Sequence, residues 1–229
     1  MDEVRKSYAD QLEEIRADVI RLAAMVSESI GAGTQALLDS DLNLVEQLIE
    51  NDRRMDELNH DIEVRSYELF ATQQPMAVDL RTLLAVLRIL QELQLTGDLM
   101  VTIAKAARRL YPTTLPPRIR GLLERMGSQA SVQHNLAIDA FADREPNIAA
   151  ALPDMDDVMD DLQREMFRTI FEALTPDEAG LHTAVELALI GRYYERVADH
   201  AVLIGKWTEF MVTGELPGRE PPLEVDASV

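Results

Sequence analysis

The sequence predicts an all-α protein made of two tandem, sequence-related three-helix bundles, with six long antiparallel helices in total. Apolar residues recur at three- and four-residue steps along most of the 229 residues, which is the period of an amphipathic helix. Aromatic residues make up only 5% of the chain, and the abundant Leu, Ala and Glu favour helices over sheets. The third observation is that the second half repeats the first.

The first three helices occupy the chain up to residue 110. The apolar period predicts a helix over residues 4–38, and the Asp-Ser-Asp sequence at 39–41 breaks it and supplies a cap for the next helix. A second helix is predicted over 41–72, where a Gln-Pro pair ends it. A third is predicted over 77–110. Three prolines in residues 111–117 then indicate a linker.

The second half follows the same plan. A fourth helix is predicted from Pro117 to about residue 142, and a fifth from a proline-containing cap region at 143–146 to about residue 174. Residues 175–178, Thr-Pro-Asp-Glu, form a capping box. The sixth helix is predicted to run from there to about residue 212.

Two blocks of sequence support the repeat. Residues 52–58 match 156–162 at an offset of 104, and residues 93–105 match 194–206 at an offset of 101. The change in offset indicates a slightly shorter second helical hairpin. The domains predicted from this repeat are residues 1–111 for the first bundle, 112–213 for the second, and 214–229 for a flexible C-terminal tail.

Charge and composition exclude several classes of function. The formal net charge of −19 argues against nucleic acid as a partner, because phosphate contacts need Lys and Arg. It suits cations or a basic surface on another protein, although solubility alone also explains it. The absence of cysteine excludes disulfides and thiolate metal sites and indicates an intracellular setting. No signal peptide and no run of about 18 apolar residues are present, so no membrane insertion is expected.

Acidic residues form pairs that are one helical turn apart. The pairs are Asp52 with Asp56, Gln94 with Asp98 (where one acid is replaced by an amide), Asp156 with Asp160, and Glu195 with Asp199. Within each hairpin the two pairs are equally distant from the proline at the tip, so they are expected to lie level as two quartets. Oxygen ligands in this number suit hard cations such as Mg²⁺, Mn²⁺, Ca²⁺ or iron. The alternative is a solvated acidic surface, neutralised by the neighbouring arginines, which are Arg53, Arg54, Arg192 and Arg196.

Within the second quartet, Glu195 is predicted to occupy a core-type position. Glu195 falls in a seven-residue series with Leu181, Ala188 and Val202, which are residues typical of a core. A carboxylate in such a line must be paired, protonated or bound to a cation. Gly97, in the matching block of the first repeat, leaves room for a close approach by a neighbouring helix or a ligand.

These residues resemble the PhoU family. The resemblance rests on Leu80-Arg81 followed by the Glu/Gln-x-x-x-Asp block ending in Ile-Ala-Lys or Ile-Gly-Lys, and on residues 51–58 before Gln74-Pro75. It covers about residues 4–212. It implies two three-helix bundles in a cytoplasmic protein, often a homodimer, that can lie at the inner face of the membrane through its partners.

The resemblance also implies a function. Such proteins down-regulate phosphate uptake and the phosphate-starvation response when phosphate is plentiful. They act through the ATPase subunit of the phosphate ABC transporter and a membrane sensor histidine kinase. Some members hold multinuclear metal clusters on Glu/Asp-x-x-x-Asp motifs, with no organic cofactor. Carried over, the metal residues are Asp52, Asp56, Asp98, Asp156, Asp160, Glu195 and Asp199. Gln94 departs from the pattern, so the first quartet is expected to bind metal more weakly.

Two alternatives stay open. A ferritin-like di-metal carboxylate protein needs two Glu-x-x-His motifs, and the chain has one, Glu57 to His60. A purely structural helical scaffold would need its acids only for solubility. No nucleophile–base pair, nucleotide motif or glycine-rich phosphate loop is present, so the chain is not expected to be an enzyme.

Overall fold

The computed structural model describes residues 2–111, 114–173 and 177–217. Within them every regular element is a helix, which confirms the all-α class and the six long helices. The helices are α1 (Asp2–Asp39), α2 (Leu42–Gln73), α3 (Val78–Leu110), α4 (Pro117–Asp143), α5 (Pro146–Ala149), α6 (Leu152–Ala173) and α7 (Glu178–Thr213). None of these described helices combines the length and apolar character needed to cross a bilayer.

Two of the helices begin at aspartate caps. The Asp41 side chain accepts hydrogen bonds from the backbone N–H groups of Asn43 and Leu44, as the sequence predicts for the start of α2. The Asp177 side chain accepts from the N–H of Gly180 at the start of α7. The predicted cap Thr175 lies outside the described residues. So do Pro176, part of the linker at 112–113, and residues 218–229 of the predicted tail.

The predicted fifth helix is wrong at its start. Instead of one continuous helix from about residue 146, the chain forms the four-residue α5, a turn, and then α6 from Leu152. Pro153 explains the break, because it has no N–H for the carbonyl of Ala149 and its ring would clash with that carbonyl. The bend packs closely on α7, where a Cβ added to Gly205 would lie 3.1 Å from the Cβ of Ala149.

The two sequence repeats share their hydrophobic core. Helices α1, α3, α4 and α7 pack together, while α2 packs on α1 and α3, and α6 packs on α4 and α7. Each of the two core clusters draws on both halves of the chain: Ile103 packs in a cluster with Tyr194, and Leu83 packs in a cluster with Phe141. The division into domains at residues 1–111 and 112–213 stays a prediction about the sequence repeat.

A pair of equivalent arginines ties the repeats together. Arg16 on α1 donates to the carbonyl of Ala142 at 3.0 Å, and its guanidinium lies over the ring of Phe141. Arg120 on α4 donates in the same way to the carbonyl of Leu38. The two donors are 104 residues apart in the sequence (120 − 16), and so are the two acceptors (142 − 38). Each repeat therefore caps the first helix of the other, as an approximate two-fold relation requires.

Candidate functional site

The first quartet assembles between α2 and α3 as the spacing predicts. Asp52 is half-buried, whereas Asp56, Gln94 and Asp98 are exposed. Asp52, Asp56 and Gln94 line one narrow crevice with Gly97. A Cβ added to Gly97 would lie 3.5 Å from Oδ1 of Asp52. The close approach of the two helices that the glycine predicts is therefore present.

Crowding of carboxylates dominates the electrostatics of this quartet. Burial, followed by the charges of Asp56 and Asp98, raises the pKa of Asp52 to about 6, and only Lys105 opposes the increase. Burial and the charge of Asp56 also raise the pKa of Asp98, again opposed by Lys105. At neutral pH the first quartet thus holds negative charge that one lysine partly offsets.

The second quartet lies between α6 and α7 and is more buried. Glu195 is only 9% exposed, which confirms the core position that its series predicts. Asp156, Asp160 and Asp199 are half-buried. The series is not a core line throughout, because Leu181 near the hairpin tip is 58% exposed.

The acids of the second quartet also raise one another's pKa values. Burial is the first cause for Glu195, and the charges of Asp199 and Asp160 add to it. The pKa of Asp156 is raised by burial and then by the same two aspartates. Burial also raises the pKa of Asp199, against the opposing charge of Arg192. The four residues therefore form one electrostatic cluster.

Neutralisation by arginine is partial. Arg192 forms an ion pair with Oε1 of Glu195, but Oε2 of the same carboxylate is buried without a partner. The positive charge of Arg196 lowers the pKa of Asp199. Arg53 instead pairs with Glu50 at 3.3 Å. Among the described residues, arginine therefore forms one direct ion pair with the quartets, at Glu195, and offsets the charge of Asp199 without a direct ion pair.

Three further residues, which the acidic motifs do not include, belong to the site. The positive charge of Lys105 lowers the pKa of Asp98, and that of Lys206 lowers the pKa of Asp199. Each lysine follows its aspartate by seven residues, which is two helical turns, and this spacing is the signal that could have found them. Gln133 on α4 lies beside Asp156 and is completely buried.

Two histidines lie near the acidic motifs in the sequence. His60 is exposed, and His200 is buried with its Nδ1 3.2 Å from the hydroxyl of Thr96 on α3. Burial, with the charge of Arg196, lowers the pKa of His200 to about 4, so this imidazole is neutral at pH 7. Within the described ranges, no three or more His, Asp or Glu side chains converge closely enough to hold a metal ion as they stand.

The raised pKa of Asp52 predicts a pH-dependent effect of its removal. Protonation of Asp52 stabilises the fold fully below pH 4, and this contribution is lost as pH rises through about 6. We expect Asp52→Asn to stabilise the metal-free protein at pH 7 by about 1 kcal/mol, a value reduced for solvent screening at this half-exposed site. Thermal unfolding with a chelator at pH 7 and pH 4 measures it. The gain should vanish at pH 4, and Asp139→Asn, at an exposed acid on α4, should give no comparable gain at pH 7. An equal gain at both pH values would contradict the crowding of these acids.

The family comparison matches both halves of the chain. A family model described as "PhoU domain" matches residues 19–107 and again residues 123–208. The "Phosphate-specific transport system accessory protein PhoU homolog 1" of Mycobacterium tuberculosis is 34% identical over 215 residues, covering 93% of this chain and 96% of that protein. The PhoU homolog of Caulobacter vibrioides is 28% identical over 221 residues and covers 96% of each chain.

Solved structures agree on the fold. The crystal structure of PhoU from Pseudomonas aeruginosa matches with a TM-score of 0.85 at 24% identity, covering 91% of this chain and 100% of that one. The PhoU structure from Streptococcus pneumoniae matches with a TM-score of 0.82 at 23% identity, covering 91% and 98%. With two copies of the family domain and a relative 34% identical across nearly its whole length, this chain belongs to the PhoU family.

Proposed function

We propose that the chain is a negative regulator of phosphate uptake and of the phosphate-starvation response. The observation that carries this proposal is the whole-length match to relatives named as accessory proteins of the phosphate-specific transport system. We propose that it acts without catalysis, through contacts with the ATPase subunit of the phosphate ABC transporter and with the sensor histidine kinase. Both contacts would lie at the cytoplasmic face of the membrane, with the chain acting as a homodimer.

An apolar surface at the tip of the second hairpin supports a role in protein contacts. We call it the tip stripe, and its exposed residues are Phe167, Phe171, Leu181, Val185 and Leu189. The members on α7 are spaced by four residues and therefore share one helix face, and the two on α6 are also four residues apart. Phe171 is 84% exposed, and an aromatic side chain left in water is typical of a contact surface.

The first hairpin repeats three of the five positions of this surface. Tyr67 is the equivalent of Phe171 at the 104 offset, and Leu80 and Leu84 are the equivalents of Leu181 and Val185 at the 101 offset. All three are exposed. The net charge of −19 adds long-range attraction to a basic partner surface. Together these features favour a partner surface that is apolar at its centre and basic around it.

Direct binding tests the proposed contacts. The purified full-length chain is titrated against the isolated ATPase subunit of the host's phosphate transporter, and separately against the cytoplasmic part of its sensor kinase. We expect saturable binding to one or both that weakens as salt rises, because charge steers the encounter. Absence of binding to both proteins would contradict regulation by contact.

We further propose that the acidic quartets bind hard cations of the Mg²⁺, Mn²⁺, Ca²⁺ or iron type. The residues that would hold them are Asp52, Asp56, Asp98, Asp156, Asp160, Glu195 and Asp199. The residues of the second quartet suit such an ion, because Oδ1 of Asp156 and Oε2 of Glu195 are buried without partners. A bound cation would offset the repulsion that raises the carboxylate pKa values and would stiffen the contact between the paired helices.

Measuring the metal bound per chain tests this second proposal. In the protein purified from its host, we expect Glu195→Ala combined with Asp199→Ala to lower bound metal per chain, because two carboxylates of the buried quartet are lost. Gln94→Glu should raise it, because the amide of the first quartet becomes a fourth carboxylate. Elemental analysis of the three proteins provides the counts. Equal metal in the double variant and the parent would refute the second site.

The ferritin-like alternative gains no support. Glu57 and His60, which form the one Glu-x-x-His motif, both lie on the exposed face of α2. Ferritin-like centres need such a motif from each of two helices, projecting into the bundle. The exposed tip stripe likewise favours a protein-contact role over a scaffold whose acids only maintain solubility.

A further inference from the structure

A buried glutamine on α4 is the feature of the second quartet that the acidic motifs do not include. Gln133 has no exposed surface. It is one of seven core positions on α4 that recur at steps of three and four residues. The other six are all apolar and buried, namely Ile119, Leu123, Met126, Ala130, Ala137 and Ala140. An amide in such a line is unfavourable unless both of its polar groups find partners.

The polar groups of Gln133 have no partners among the described residues. Its Nε2 and Oε1 are both buried and unpaired, and so are Oδ1 of Asp156 and Oε2 of Glu195. Four unpaired polar atoms therefore gather around one acidic cluster. Buried polar atoms in folded proteins are normally paired with protein, water or an ion. Their concentration here indicates that the cluster receives a polar or charged species.

Helix packing directs Gln133 toward the quartet. Helix α4 packs against both α6 and α7. One turn before Gln133, the amide of Gln129 donates to the carbonyl of Met155 at 2.9 Å, which brings α4 and α6 together at this height. Gln129 and Gln133 are four residues apart and share one face of α4. Because Met155 directly precedes Asp156 on α6, this face lies level with Asp156, and the Gln133 amide has no hydrogen-bond partner among the described residues. Asp199 belongs to the same quartet across the contact between α6 and α7.

The first repeat lacks this arrangement. The residue equivalent to Gln133 at the 104 offset is Ser29, which is also buried. Its hydroxyl donates to the carbonyl of Met25 at 3.0 Å, one turn earlier on the same helix. The hydroxyl of Ser29 is thus hydrogen-bonded within α1, and Ser29 has no amide to offer to the first quartet. The difference is specific to the second quartet and is not a property of the repeated unit.

We propose that Gln133 is a cation-binding residue of the second quartet, with its Oε1 joining carboxylate oxygens of Asp156 and Asp199 around a hard divalent cation. Helices α4, α6 and α7 then contribute one oxygen ligand each. A neutral carbonyl oxygen supplies a ligand that hard cations accept and adds no repulsion to a crowded acidic site. The inference rests on the proposed metal binding, and it names a ligand outside the acidic pairs.

Titration with Mn²⁺ tests the role of Gln133. The full-length chain is stripped with a chelator, and Mn²⁺ affinity is measured by calorimetry for the wild type, Gln133→Leu and Gln133→Met. The second substitution keeps the length of the side chain in case leucine disturbs the fold. We expect both variants to bind Mn²⁺ about tenfold more weakly or worse. Their melting temperatures without metal should equal or exceed that of the wild type, because the unpaired amide is gone.

Two controls separate the possible failures. Asn135→Leu removes an amide from the exposed side of the same helix and should keep the wild-type affinity for Mn²⁺. Asp199→Asn removes a proposed carboxylate ligand and should weaken binding. If Asp199→Asn weakens binding while both Gln133 variants match the wild type, the role of Gln133 is overturned and the proposed metal site stands. If the wild type and Asp199→Asn give identical titrations, cation binding at the second quartet is overturned, and the role of Gln133 with it.

Discussion

Replacing two residues of the tip stripe by aspartate should abolish regulation while leaving the fold intact. Phe171 and Leu181 are 84% and 58% exposed, so their substitution costs little folding free energy. If the stripe meets a partner, burying two carboxylates there removes an aromatic anchor and adds desolvation of charge. Loss of such an anchor typically costs about 2 kcal/mol or more, which weakens binding roughly 30-fold.

The double variant Phe171→Asp with Leu181→Asp is compared with the wild type in two assays. The first is binding to the ATPase subunit and the kinase, and the second is a phosphate-starvation reporter in phosphate-rich medium. Val132→Asp is the matched control, since Val132 is 51% exposed but lies on α4 away from the hairpin tip. It should bind and repress normally. A double variant that binds both partners and represses like the wild type would show that the stripe is not the contact surface.

Gly127→Ala should destabilise the protein at the contact between the two repeats. A Cβ at Gly127 would lie 3.0 Å from the Cβ of Thr34, a β-branched residue that cannot swing aside. The hydroxyl of Thr34 donates to the carbonyl of Ile30 and accepts from the buried hydroxyl of Tyr194, both at 2.8 Å. Overpacking of this kind costs about 1–3 kcal/mol, and an unpaired tyrosine hydroxyl in the core would add to the loss.

The same helix provides the control for Gly127. Gly121, also on α4, has no heavy atom within 4 Å of an added Cβ. Gly121→Ala should therefore gain about 0.5–1 kcal/mol from helix propensity alone. Thermal unfolding of both variants should move the melting temperature in opposite directions, with a decrease of several degrees for Gly127→Ala. Equal increases for both would mean that the repeats do not meet at Thr34 as described.

Local spacing was enough to predict the acidic quartets. Residues four apart share a helix face, and positions equidistant from a hairpin tip lie level, so Asp52 and Asp98 could be brought together without tertiary information. The burial of Glu195 followed from its place in a seven-residue series. These features depend on helix geometry and on one short connection, which are properties that a sequence records directly.

Features that depend on packing between the repeats were not predictable in this way. A sequence repeat does not reveal how its two copies meet, so the shared core and the exchange of Arg16 and Arg120 became visible only in three dimensions. Gln133 stands in a core line just as Glu195 does, but its meaning depends on α4 passing beside α6. The break at Pro153 was missed because the residues on both sides of it continue the helical period.

The regulator proposal is tested most directly in the host. The gene is deleted from a strain that has no other PhoU-family gene, and phosphate uptake and a phosphate-starvation reporter are read in phosphate-rich medium. A negative regulator predicts that the reporter stays on and uptake stays high, and that the wild-type gene restores both to their repressed levels. A deletion strain in which the reporter stays off and uptake is unchanged would contradict the proposal.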